Sequence, residues 1–197
     1  MTAWDQRYDR DEYVYGLDAN EFLISVASAI LPGPVLCLGE GEGRNAVFLA
    51  EKGFPITAVD GSRVALKKAE QLARQKNVSI NTVVSDLADY QIDQDEWMGI
   101  VYIFCHLHRD LRKIVHRACC AGLKRGGVFI LEGFTPAQLD YNTGGPKSFD
   151  LLMTADELRG ELSGLEIQVA QEVVRDRREG LLHTGLSAVV QILAIKP

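Results

Sequence analysis

The sequence predicts an α/β fold: a seven-stranded, mostly parallel sheet with helices on both faces, closed by an antiparallel C-terminal hairpin. Three observations lead there. From residue 34 onward, short β-rich runs alternate with longer amphipathic stretches, the pattern of βαβ units. A glycine-rich turn, LGEGEGRN, joins the first strand to the helix after it. The C-terminal stretch then changes character and offers two β-rich runs joined by a short connection, as a hairpin does.

PVLCL (34–38) is the first strand, and RNAVFLAEKG (44–53) is the helix after it, stopped by Gly53. PITAVD (55–60) is the second strand. Ser62 caps the next helix, which runs to about Gln75 with Val64, Ala65, Leu66, Ala69, Leu72 and Ala73 as its apolar face. SINTVVSD (79–86) reads as strand three. MGIVYIFC (98–105) is strand four, apolar almost throughout, as a central parallel strand covered on both faces should be. LRKIVHRACCAGL (111–123) is the following helix, KRGG (124–127) a turn, and VFILEGF (128–134) strand five. The polar, Gly-rich segment 135–148 is expected to form a long loop, a candidate lid. Thr154 caps a helix around TADELRGEL, and LEIQVAQEVVRD and LSAVVQILAIK are the hairpin strands, connected by REGLLHTG.

With 197 residues, 47% hydrophobic and 24% charged, the chain suits one globular domain: an N-terminal arm and helix (1–30), a core (34–132), and a lid loop, helix and hairpin (133–197). A net charge of −6 argues against nucleic acid, whose affinity comes from Lys and Arg. No apolar run approaches the ~20 residues of a membrane span, and the N-terminus is polar and acidic where a secretory signal would be basic and apolar. A cytoplasmic location is the expectation. Cys37, Cys105, Cys119 and Cys120 lack zinc-site spacing and read as reduced core thiols.

Chemistry concentrates in LCLGEGEGRN. Gly39, Gly41 and Gly43 permit tight turning and close ligand approach, and helix-start N–H groups favour an anionic group. A dinucleotide fingerprint wants its third glycine where Arg44 stands, which counts against NAD. The GxGxG spacing instead suits the methionyl end of S-adenosylmethionine, the alternative being a βα turn with no ligand. Asp60, ending strand two, stands where a carboxylate accepts hydrogen bonds from ribose hydroxyls, or else serves the turn before Gly61. Asp86 with Leu87, closing strand three, falls where an adenine would lie, or caps its own turn. Glu40, Arg44, Asn45, Gly61 and Ser62 flank these positions and complete the expected lining. Three strand ends thus face one cleft.

LCLGEGEGRNAVFLAEKGFPITAVDGS, SDLADY, IVYIFCHLHRDLR and LKRGGVFILEGFTP together resemble the class I S-adenosylmethionine-dependent methyltransferases, close to the TehB-like (tellurite-resistance) and thiopurine methyltransferase-like group, over almost the whole chain. The resemblance implies a Rossmann-like sandwich, S-adenosylmethionine as cofactor and S-adenosylhomocysteine as product. WDQRY and YVYG are similar to the arm that folds over the cofactor in this group, so Trp4, Arg7, Tyr8, Tyr15 and Gly16 would close the site, the rings facing the sulfonium. Tyr13 and Tyr15 have packing of the arm as their alternative role. Where many relatives carry an acid before the glycine turn this chain has Cys37, which leaves the methionyl ammonium to Glu40 or to backbone carbonyls.

Phe104, His106 and His108 follow strand four, near the expected methyl group. An HxH pair without a third ligand points to no metal, and His106 takes a cofactor-lining or acceptor-side role. His116 lies inside a helix and reads as structural. His183 matches a histidine that TehB-like proteins place before the last strand, where a neutral imidazole would orient or deprotonate the acceptor; a turn histidine is the alternative. The expected activity is methyl transfer to a small molecule, a thiol, chalcogen oxyanion or similar, by a monomer or homodimer. A non-catalytic S-adenosylmethionine-binding module and an NAD-dependent oxidoreductase are the rivals.

Overall fold

A computed structural model describes residues 3–180 and 183–197, with Ala3 and His183 described by their backbone alone. Among these residues the strands are β1 Val35–Leu38, β2 Ile56–Asp60, β3 Asn81–Val84, β4 Trp97–Ile103, β5 Leu123–Phe134, β6 Glu166–Glu179 and β7 His183–Ile195. They form one sheet in the order β3-β2-β1-β4-β5-β7-β6. The first five pair in parallel, and β7 runs antiparallel between β5 and β6. This is the architecture expected from the alternating pattern. The helices are α1 Ala3–Tyr8, α2 Glu21–Val26, α3 Arg44–Glu51, α4 Arg63–Gln75, α5 Arg109–Gly122 and α6 Ala155–Glu161.

Strand periodicity divides the core in two. Val35, Cys37, Val101 and Ile103 pack toward Phe22 and Leu23 of α2, Ala46 and Leu49 of α3, and Leu66 of α4. Their neighbours Leu36, Leu38, Ile100 and Tyr102 pack on the other face with Val115 and Cys119 of α5, Leu158 of α6 and Leu162 just after it. Strands covered on both sides have no polar face to present to water, so they read as continuous apolar runs. Local capping agrees with this packing: Ser62 Oγ accepts from Ala65 N at 3.1 Å, and Thr154 and Glu157 form a reciprocal capping box on α6.

Three expectations are corrected. The KRGG stretch is no separate turn, because β5 begins at Leu123 and absorbs it as a bulge. Its register against β4 shifts between Trp97 and Gly99, with Gly126 at φ +78° taking up the bend. Segment 135–148 contains a 3-10 turn, Pro136–Asp140, and its polar residues fasten it rather than free it. The buried Gln138 accepts from Ala188 N at 2.9 Å and donates to Gly144 O at 3.0 Å, while Thr143 Oγ1 donates to Leu186 O at 2.6 Å. The hairpin connection is shorter than REGLLHTG, since pairing continues through Arg177↔Gly185 and Glu179↔His183. Arg177 and Glu179 point inward, so the strand carries charge where its period calls for apolar residues.

Candidate functional site

Strand order reverses between β1, which leads outward to β2 and β3, and β4, which leads the other way to β5. In open α/β sheets the crevice at such a switch lies over the C-terminal strand ends. Gly39 and Phe104 stand at those two ends.

The glycine turn is built to hold its own shape. Gly39, Gly41 and Gly43 have φ of +61°, +64° and +92°, the left-handed region that favours glycine. A Cβ on Gly39 would come within 2.6 Å of Cys105 Sγ, and one on Gly43 within 2.5 Å of Ala69 Cβ, so Gly43 serves the approach of α4 to the turn. Glu40 Oε1 accepts from Asn45 N at 3.0 Å and Ala46 N at 2.8 Å. Two of the helix-start donors expected to await a ligand are therefore already taken from within the chain. Glu40 is buried. Burial pushes its carboxyl up to about 7 against the pull of the Ala46 hydrogen bond and the Arg44 charge.

Asp60 bridges two turns: Oδ2 accepts from Gly41 N and Oδ1 from Ser62 N, both at 2.8 Å. Burial raises its pKa despite those bonds. Gly61 beside it is exposed, while Ser62 is buried and donates through Oγ to Asp5 Oδ1 at 2.7 Å. Asp86 is exposed, with Oδ1 accepting from Ala88 N at 2.9 Å in a turn-capping bond, and Leu87 packs against the α5 and α6 side of the core.

The arm lies across the turn. The Tyr8 hydroxyl sits 2.9 Å from where a Cβ of Gly41 would be, Trp4 stacks on Tyr8 at 5.9 Å, and Arg7 Nη1 donates to Tyr15 Oη at 3.0 Å beneath its own contact with Trp4. Burial and the charge of Asp60 raise the Tyr8 pKa, keeping the hydroxyl protonated. Tyr13 packs beside Val47 and Leu72 and donates to Lys68 O at 3.0 Å. The residue that latches the arm is Glu42, which no expectation had singled out. Its Oε2 accepts from Val14 N at 2.8 Å, and its Oε1 meets Lys68 Nζ at 2.5 Å. A buried acid between two glycines of the turn was the available signal.

Opposite the turn stands an aromatic and cationic wall. Phe104 holds φ +50°, an uncommon conformation for a bulky side chain, and its N–H donates to Glu132 O at 2.7 Å. Its ring lies 4.8 Å from Phe134, and His106 stacks on Phe134 at 5.4 Å. Arg177, wholly buried, places its guanidinium 4.9 Å from the Phe104 ring and 4.7 Å from that of Phe134. Its Nη1 faces Glu179 Oε2 at 3.6 Å, and Nε makes no hydrogen bond among the described residues. Burial pulls its pKa down to about 10. Arg177 was also missed, being one of several charges in an RDRRE run. The expected residue His183 begins β7 opposite Glu179, but its side chain lies outside the described residues. His108 pairs with Asp150 at 2.6 Å, and His116 is buried in α5 against Glu161 at 2.7 Å. Among the described residues no group of three or more His, Cys, Asp or Glu is arranged to hold a metal, and no helix is long and apolar enough to cross a membrane.

Comparison with known proteins points the same way. Residues 35–127 match the family described as "Methyltransferase domain". The chain is 26% identical over 114 residues to the uncharacterized methyltransferase YbaJ of Bacillus subtilis, covering 55% of this chain and 43% of that protein. It is 26% identical over 89 residues to the probable S-adenosyl-L-methionine-dependent methyltransferase TehB of Haemophilus influenzae, covering 45% and 31%. The chain thus spans less than half the length of these relatives. The crystal structure of Haemophilus influenzae TehB superposes with a TM-score of 0.75 at 19% identity, covering 98% of this chain and 66% of that one. A structure described by the conversion of a disulfide bond into a thioacetal group during echinomycin biosynthesis gives 0.78 at 16% identity, covering 98% and 90%.

Proposed function

We propose, for a chain whose residues 35–127 match the methyltransferase-domain family and whose fold is like that of TehB, that it is a class I methyltransferase which binds S-adenosylmethionine and transfers the methyl to a small electron-rich acceptor, a thiol or a chalcogen oxyanion. The observation that carries this reading is the pre-formed glycine turn at the strand-order switch, with Asp60 clamping Gly41 beside it. The residues fit the cofactor: each Asp60 oxygen keeps a lone pair for a ribose hydroxyl beyond its one backbone bond, and withdrawal of the arm, whose Tyr8 hydroxyl lies against Gly41, would bare the glycine turn to an amino-acid moiety. The rings of Trp4, Tyr8 and Tyr15 suit a sulfonium.

When bound, the cofactor supplies an already activated methyl group, so no covalent enzyme intermediate is required. The work of the chain is to orient the partners and exclude water. The arm covers the turn. Arg177 draws in an acceptor bearing negative charge and favours its deprotonated, nucleophilic form. The wall formed by Phe104, Phe134 and His106 shapes the space beside it, and His106 or His183 takes a proton only when the acceptor arrives protonated. The sulfur chemistry named for the echinomycin neighbour is in keeping with a thiol acceptor.

Calorimetry and turnover test the reading. S-adenosylmethionine should bind and NADH should not, and a panel of thiols, selenite and tellurite should contain a substrate that releases S-adenosylhomocysteine. Binding of NADH alone would move the chain to the oxidoreductases. Cofactor binding with no turnover across the panel would favour a non-catalytic module. Arg44 speaks against the NADH outcome, since it occupies the third-glycine position and is ion-paired with Glu179 at 3.0 Å.

A further inference from the structure

The two halves of the proposed site meet at one carboxylate. Glu179 Oε2 accepts from Arg44 Nη2 at 3.0 Å and faces Arg177 Nη1 at 3.6 Å, while Oε1 accepts from Asn20 Nδ2 and Arg175 Nη2, both at 3.1 Å. Arg44 is the first residue of α3, directly after the glycine turn, and its Nη1 donates to Asp18 O at the end of the arm. Arg177 stands in the aromatic wall. Asn20, Arg44, Arg177 and Glu179 are all buried, so the hydrogen bonds from Asn20 and Arg44 and the longer ion pair with Arg177 form in a medium that strengthens charge interactions and penalises breaking them.

The backbone agrees with the side chains. A Cβ on Gly180 would lie 2.3 Å from Gly16 N and 2.6 Å from Val14 O, so the arm and the end of β6 touch main chain to main chain. Neither surface can shift as a flexible side chain would. Arm, glycine turn and hairpin end therefore pack against one another as one unit. Arg177 is wholly covered in this closed arrangement, so an acceptor reaches it only when a covering segment moves.

We propose that Glu179 is a positioning residue that ties Arg177 to the docked arm, so that the acceptor side of the site is assembled by closure of the arm over the cofactor. This rests on the methyltransferase reading above.

Hydrogen exchange with S-adenosylhomocysteine as the probe tests it without knowledge of the acceptor. If opening of the hairpin end requires the arm to leave, the probe at a hundred times its Kd should slow exchange of the Arg175–Gly180 amides by about 100-fold, along with the arm. In Glu179→Gln the arm and glycine turn should keep their probe-dependent protection while that of the hairpin end is lost. Gly180→Ala, which wedges the arm and the hairpin end apart without altering charge, should likewise abolish the probe-dependent slowing at the hairpin end, and serves if the buried Gln variant fails to fold. A hairpin end whose exchange ignores the probe in the wild-type protein overturns the proposal, as does full coupling retained in a folded variant. Absence of probe binding to the wild-type chain by calorimetry is a separate result and strikes the methyltransferase reading itself.

Discussion

Replacing Arg177 by methionine should leave the stability of the protein nearly unchanged while impairing it as a catalyst. Arg177 is fully buried, and its pKa falls from 12.5 to about 10 because burial disfavours the charged form. At about 1.4 kcal/mol per factor of ten, that fall corresponds to about 3 kcal/mol by which the folded state resists carrying the charge. Methionine removes the charge, keeps similar length and makes favourable sulfur contacts with the Phe104 and Phe134 rings. The variant loses two cation–π contacts, each worth about 2 kcal/mol at a desolvated site, and a long hydrogen bond to Thr143 O at 3.4 Å. Glu179 is not stranded, since Arg44 and Arg175 remain bonded to it. The two effects nearly cancel, so the net expectation is a change within about 1 kcal/mol, a shift in Tm of no more than roughly 2–4 °C for a chain of this size. Catalysis does change: a lost charge-assisted bond to the acceptor of about 1.5–3 kcal/mol lowers kcat/KM by roughly 10- to 100-fold. Thermal unfolding and release of S-adenosylhomocysteine measure the two effects. A variant that melts several degrees lower and turns over normally would show that the guanidinium is a structural element and that the acceptor binds elsewhere.

Two further outcomes follow from buried acids. Glu40 titrates at about 7 in the folded chain against an ordinary 4.5, so the folded state holds a proton that the unfolded chain releases. Its contribution to stability is full below pH 4.5 and is lost as pH rises through 7, about 3 kcal/mol in all. Urea unfolding at pH 5 and pH 8 should therefore show a smaller difference in Glu40→Gln than in the wild type, and parallel profiles would refute the assignment. Glu161 behaves oppositely. Burial alone would raise it, but hydrogen bonds from His116 and Arg112 hold it at about 2, so its contribution is present above pH 4.5 and lost as pH falls through 2. Glu161→Gln leaves the Arg112 side chain, 1% exposed, with Glu157 at 3.5 Å as its remaining carboxylate partner. The expected loss is about 3–5 kcal/mol in chemical denaturation, and a change below 1 kcal/mol would refute it.

Much of the fold was legible because the signals were local. The parallel strands announced themselves as apolar runs, α4 by a serine cap and a repeating face, and the glycine turn by a spacing that only a left-handed backbone explains. Local rules failed where a residue answered to something distant. KRGG has the composition of a turn, yet β4 beside it supplies a register in which the extra residues bulge. RDRRE has the composition of a surface, yet Arg177 and Glu179 face inward. The polar 135–148 segment is held down by bonds to β7 that its own composition does not suggest.

The site divides along the same line. The sequence by itself determined the strand order's raw material, the glycine turn, the acid after strand two and the aromatic arm, because each depends on neighbours within a few residues or on a spacing repeated along the chain. Only the tertiary structure decided that Glu42 latches the arm, that Glu40 caps its own helix, and that buried Asn20, Arg44, Glu132, Arg177 and Glu179 join the half-buried Arg175 in one network. The Asn20 to Glu179 bond spans 159 positions and the Asn20 to Glu132 bond 112. Charges become worth burying only when folding brings their counterparts together, and no pattern read along a single chain records which distant partners will meet.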